Sequence, residues 1–222
     1  MINKKYFILI ILCLLFISLF SACTNTNNQD ENLASSNQEP TNHKYSYKSQ
    51  MDLAMEHISN PKALATVNDI EITQVDVDLY SIGGKTHTTE EIVKYYIITD
   101  YSEKNSIELN DWNKELYNNI ERDMLNDEEL SENYCLNTYG ISKSEVIKYA
   151  QKRIYQIGMN SAFSSMIIEE VSNGETPQKY PQLSDAYNKF EKNKDSNPNE
   201  AWEDIENAYY EMIAEDYDIV IY

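Results

Sequence analysis

Five glycines among 222 residues leave little material for a glycine-rich loop that cradles a phosphate or dinucleotide. Cysteine is scarcer still, with only Cys13, Cys23 and Cys135, so no disulfide framework is expected. Basic residues are in deficit. Eighteen Lys and Arg face 37 Asp and Glu, a formal charge of −19. Such a chain is repelled by nucleic acid and by an anionic membrane surface, so nucleic acid is not an expected partner and any hold on a membrane is expected to come from a lipid anchor. His43, His57 and His87 stand apart from one another and from cysteine at ligand spacing, and read as surface residues. The closest metal pattern is Asp195, Asn197 and Asn199 with Glu206 at the twelfth position, which imitates a calcium loop. Its sixth position is Glu200 where a sharp turn wants Gly, and Pro198 favours a helix start. Acidic pairs such as Glu128-Glu129 and Glu203-Asp204 fall on polar helix faces. No nucleophile elbow, phosphate loop or zinc pattern is present. The chain is expected to carry no cofactor, no metal and no enzymatic centre.

What is present begins at the N-terminus. Lys4 and Lys5 precede an apolar run, Tyr6 to Phe20, which is short for a membrane span and reads as a secretory signal, residues 1–22. The segment Phe20-Ser21-Ala22-Cys23 resembles the lipobox of bacterial lipoproteins, with Phe20 where Leu, Val or Ile is commoner. That resemblance implies cleavage before Cys23, lipidation of its thiol and anchoring by two or three acyl chains, enough for stable attachment. Loss of Lys4 and Lys5 with the signal moves the charge from −19 to −21. Residues 23–50 are then a lipidated Cys and an Asn-, Gln-, Ser- and Thr-rich tether that cannot bury a core. Residues 51–222 are long enough for one domain, in which Cys135 is a small core residue.

That domain reads as mainly α. Thr73 with Asp76 is a capping box that opens a short helix carrying Val77 and Tyr80 and stopping at Gly83-Gly84. Thr88 or Thr89 opens a second, with Ile92, Val93, Tyr96 and Ile97 as its apolar face. Asn110 caps a third, in which Trp112, Leu116, Ile120 and Met124 recur every four residues beside Tyr117. A fourth spans Glu128 to Tyr139 and ends at Gly140. Ser142 with Glu145 starts the longest, about Lys143 to Val171. Ser172 to Gln182 reads as a loop, Leu183 to Lys192 as a short helix, and Asn197-Pro198-Asn199-Glu200 as the start of the last helix, with Trp202, Ile205, Tyr209, Met212 and Ile213 on one side.

The longest helix has two adjacent apolar stripes. Ile147, Ala150, Ile154 and Ile157 form one, and Tyr155, Met159, Ala162 and Met166 form the next. A face that wide touches more than one neighbour, or one neighbour and a ligand. Core packing accounts for most residues on such a face. The second stripe, Tyr155, Met159, Ala162 and Met166, is the candidate ligand-facing set. The 18 tyrosines suit a surface that grips varied partners, and they also fit the codon usage of an AT-rich genome.

Two short β-branched segments remain, Ala63 to Val67 and Ile219 to Ile221. Neither has another obvious partner, so they are expected to pair as a two-stranded clasp joining the ends of the helical domain.

The stretch "ALATVNDIEITQVDVDLY" resembles the entry motif of the SurA and PrsA class of extracytoplasmic chaperones, through Ala65, Val67, Asn68, Ile72 and Thr73. The stretch "NYCLNTYGISKSEVIKYAQKRIYQ" is similar to that class's Tyr-Gly-Ile-Ser-x-x-Glu step into a long helix. The resemblance covers about Leu64 to Tyr222. It implies a SurA N-terminal-like domain that cradles unfolded or exported polypeptides in a helical crevice. Members often carry a prolyl isomerase domain before the closing helix. Residues 172–182 are too few to hold one, so no isomerase activity is implied. The expected protein is a lipid-anchored, chaperone-like binder on the outer face of the bacterial cytoplasmic membrane, with an AT-rich, Gram-positive flavour. The alternative is an adaptor for one dedicated envelope partner.

Overall fold

The computed structural model describes residues 47–81 and 86–222. The signal, Cys23, His43 and the Gly83-Gly84 stop lie outside them. Helix α1 (Tyr47–Ala54) precedes a hairpin of β1 (Ala63–Val67) and β2 (Ile70–Thr73). Helices α2 (Gln74–Tyr80), α3 (Thr89–Lys104), α4 (Asp111–Leu125) and α5 (Glu132–Thr138) lead to α6 (Lys143–Ser172), 30 residues long. Then come α7 (Thr176–Lys179), a 3₁₀ turn (Pro181–Leu183), α8 (Ser184–Asn193), α9 (Pro198–Ala214) and β3 (Ile219–Ile221). The described chain is mainly helical, with one small antiparallel sheet. None of its helices is long and apolar enough to cross a membrane.

Local chemistry starts these helices where expected. Asp76 Oδ2 accepts from the Thr73 backbone N–H and hydroxyl, each at 2.9 Å. Thr88 and Glu91 cap each other at 3.2 and 3.0 Å, and Ser142 and Glu145 do so at 3.2 and 2.9 Å. Asn110 accepts from Asn113 N–H at 2.8 Å. Each bond satisfies a helix-end group that would otherwise lack a partner. Gly140, at φ 75°, follows the last residues of α5 in the left-handed conformation that only glycine adopts without strain. Asn197 stands at the cap of α9, but its amide contacts the Glu200 carboxylate and makes no bond to a helix N–H.

The expected pairing of β1 with β3 is present, antiparallel, with Ala65 opposite Ile221 and Val67 opposite Ile219. The clasp is three-stranded rather than two-stranded, in the order β2-β1-β3. Ile70 to Thr73 form the extra strand, paired to β1 across the Asn68-Asp69 turn. Asn68 takes the turn at φ 51°. Its N–H donates to the Asp218 carbonyl at 2.7 Å, and its side-chain oxygen accepts from Asp218 N–H at 2.9 Å. One residue thus turns the hairpin and fixes the register of β3.

Other boundaries shift for identifiable reasons. The tether expected to run to Gln50 gives way to α1 at Tyr47, so the folded part starts earlier. Asp127 holds the Tyr47 N–H at 3.0 Å, and Asp52 accepts from Tyr134 and Tyr139 hydroxyls at 2.6 and 2.7 Å. The same Asp127 caps the turn at Glu129 and Leu130, which delays α5 from Glu128 to Glu132. The loop expected at 172–182 is partly helical: buried Thr176 opens α7 and bonds Tyr209 at 2.9 Å.

Buried side chains form two clusters. The first gathers the inward residues of the sheet, Val77 and Tyr80 of α2, the α3 face, Phe163, Ile167 and Val171 of α6, and Ile205, Tyr209 and Ile213 of α9. The second gathers Met51 and Ala54 of α1, Val75 and Leu79 of α2, Ile120 and Met124 of α4, Cys135, and Val146, Ile147 and Ala150 of α6. Helices α2 and α6 serve both. Where α6 passes from one to the other its residues turn polar, at Lys152, Arg153 and Gln156. Lys152 meets Asp76 at 2.9 Å, Tyr96 donates to Asp76 at 2.6 Å, and Tyr80 donates to Gln156 at 2.7 Å. Burial by itself would raise the Asp76 carboxyl. The Lys152 charge and the bonds from Tyr96 and Thr73 outweigh it and hold Asp76 below the ordinary carboxylate value.

Candidate binding groove

Ser106, at φ 57°, reverses the chain after α3, and Ile107 N–H returns to the Ser102 carbonyl at 2.9 Å. That turn carries Ile107 and Leu109 over the middle of α6. Gly158 permits the approach: a Cβ there would stand 2.7 Å from Leu109 Cδ2 and 3.2 Å from Asn113 Cβ. Between this loop and α6 lies an open groove of about 480 Å³. Its apolar walls are Ile107, Leu109, Tyr155 and Met159, and Glu103, Glu108 and Lys114 contribute polar atoms. Lys114 is held by Glu108 at 2.8 Å.

Tyr155 is half-buried and packs edge-on against Tyr117, ring centres 5.9 Å apart. Burial, and then a hydrogen bond to Glu103, push its hydroxyl up to about 12, so it stays a neutral donor. Met159, 2% exposed, belongs to neither core cluster and backs the groove from α6. Helix α4, which follows the loop, carries Trp112 and Leu116 in its first turns, 55% and 38% exposed.

The second α6 stripe therefore divides. Tyr155 and Met159 reach the groove. Ala162 is buried, and Met166 packs on the sheet-centred cluster, so neither lines it. Of the first stripe, Ile147 and Ala150 are buried and Ile154 packs on the second cluster, but Ile157 is 37% exposed. On α4 the four-residue recurrence holds for burial only at Ile120 and Met124, which pack in the second cluster. Trp112 and Leu116 extend beyond it. The groove's other wall was not legible, because Ile107 and Leu109 sit in a polar connection whose course depends on the Ser106 turn.

Of the two described histidines, His57 is exposed as expected and His87 is not. His57 meets Asp78 at 2.7 Å at the surface, whereas the His87 side chain is 9% exposed, packed edge-on to Tyr80 and Tyr95. Cys135 is buried and free, as expected, and burial raises its thiol. Among the described residues no group of three or more His, Cys, Asp or Glu is placed to hold a metal ion. The Asp195 segment runs into α9 at Pro198.

No family model matches the chain, and no curated protein or solved structure matches it.

Proposed function

We propose that the folded part binds apolar and aromatic segments of unfolded or exported polypeptides, as a chaperone-like protein without isomerase activity. The observation that carries this reading is the open groove between the residue 105–110 loop and α6; Trp112 and Leu116, exposed on the helix that follows the loop, add apolar surface. A groove of this size takes one or two side chains of a client, and burial of their apolar area supplies the affinity. Tyr155 adds a neutral hydroxyl donor, and Met159 adds an adaptable thioether. Nothing in this mode of binding needs a covalent step. Cys23, through its resemblance to a lipobox cysteine, would anchor the protein at the outer face of the bacterial cytoplasmic membrane.

The test is suppression of light scattering from a thermally unfolding client, with an equally acidic unrelated protein as control. Suppression near one-to-one is expected, weakened in Tyr155→Ser and in Trp112→Ser while the melting profile of each variant is kept. No suppression across several unrelated clients would sink the general reading. A single protein recovered by crosslinking on cells would then favour a dedicated envelope partner.

A further inference from the structure

A second cavity, of about 260 Å³, lies between α3, α6 and α9. Its floor is apolar: Ile98, Phe163 and Ile167 line it, each 3% exposed or less. Its polar groups are already largely committed, with one difference. Glu91 caps α3 through Thr88 N–H at 3.0 Å and lies 3.3 Å from His87. Lys94 lines the cavity too, but its ammonium is held by Asn207 at 3.0 Å and sits 4.9 Å over the Tyr210 ring. Glu206 projects from α9 into the cavity with the Ser164 hydroxyl as its hydrogen-bond partner.

We propose that this cavity binds a primary alkylammonium group, with Glu206 as counter-ion and the Ile98, Phe163 and Ile167 floor taking the hydrocarbon. The electrostatics fit. Burial raises the Glu206 carboxyl above its ordinary value despite Ser164 and the charge of Lys94, and Glu203 adds to the rise. Burial of the Glu206 carboxyl thus outweighs the support it receives from Ser164 and Lys94, and a further cation entering the cavity gains more than it would beside an exposed carboxylate. Tyr95 lines the same cavity and offers a ring to the ammonium. The ammonium has two natural sources, a free amine or a lysine side chain. This inference stands apart from the groove and does not depend on it.

The probes are n-pentylamine and its neutral analogue n-pentanol, titrated into the full-length protein and followed through the isoleucine methyl resonances. Lysine amide blocked at its α-amine tests the protein-borne source. The amine is expected to bind saturably, shift Ile98 and Ile167, and exceed the alcohol by about tenfold, as a charge-assisted hydrogen bond in a half-buried site supplies. Glu206→Gln is expected to remove that advantage, and Ser164→Ala to leave it. Binding of the blocked lysine as well extends the site to protein side chains, and its failure assigns the site to free amines. Equal binding of amine and alcohol by the unaltered protein overturns the proposal, whether or not Glu206→Gln folds. So does an amine preference that survives in a folded Glu206→Gln.

Discussion

The two core clusters are built in different ways. The sheet-centred cluster draws on residues from Ala65 to Ile213, and its strands and helices meet across most of the chain. The second draws only on residues from Met51 to Ala150 and is rich in methionine and aliphatics. The first is aromatic and long-range, and the second is plastic and local. Their junction is polar, at Asp76, Lys152 and Gln156. Two elements that must stay in one alignment share α6 yet are separated by groups that demand particular partners. Apolar surfaces slide at little cost, whereas a buried carboxylate does not, so the junction fixes the angle at which the clusters meet.

The largest expected effect breaks the long-range cluster. Tyr209 is fully buried and its hydroxyl donates to Glu170 at 2.9 Å. Tyr209→Ala should cost about 4 kcal/mol by leaving a cavity, measured by urea unfolding. Hydrogen exchange should show β1 amides opening well before those of α5. Next is Met124→Ala in the local cluster, at about 3 kcal/mol, with the order of opening reversed. If both variants open both clusters together, the contrast between them is not energetic.

The junction should give less. Asp76→Asn keeps the shape but removes the charge that Lys152 and Tyr96 face, and should cost about 2 kcal/mol, discounted because Lys152 is 43% exposed. The pH dependence follows from the direction of the shift. Asp76 lies below its unfolded value, so its contribution is full above that value and is lost as pH falls through the folded one. Acid unfolding of the unaltered protein should therefore have a limb that Asp76→Asn flattens. The smallest effect is at Gly158. Gly158→Ala gains helix propensity but pushes on Leu109 and Asn113, so stability should change by no more than about 1 kcal/mol. Client binding should weaken nonetheless, because Leu109 is displaced at the groove.

Helix starts were legible because a cap is a local device. Thr73 and Asp76, and Ser142 and Glu145, are each three residues apart, and no distant residue is needed to read them; between Thr88 and Thr89 the sequence left the choice open, and Glu91 settles it on Thr88. The β1–β3 pairing was legible because two β-branched segments stood alone in a helical pattern. Strand β2 was not, since Thr73 is at once its last residue and the cap of α2. Helix α1 was hidden because its start is polar in sequence and acquires its place from Asp127, Tyr134 and Tyr139, far along the chain. In the groove, periodicity found the α6 wall at Tyr155 and Met159 and overextended it to Ala162 and Met166. A helical repeat says which residues share a face, and only the neighbours decide how far along that face a cavity runs.

The Asn68–Asp218 contact joins residues 150 positions apart. A chain is made from its N-terminal end, at roughly 5–20 residues per second. Everything the local cluster needs has been made by Ala150, but β1 waits for residues 219–221 before it has its second neighbour. For that interval, about six seconds at the middle of that range, the outer edge of β1 offers its hydrogen bonds to whatever extended segment comes first. Assembly order is thus written into the fold, with the helical half able to settle early and the sheet closing last.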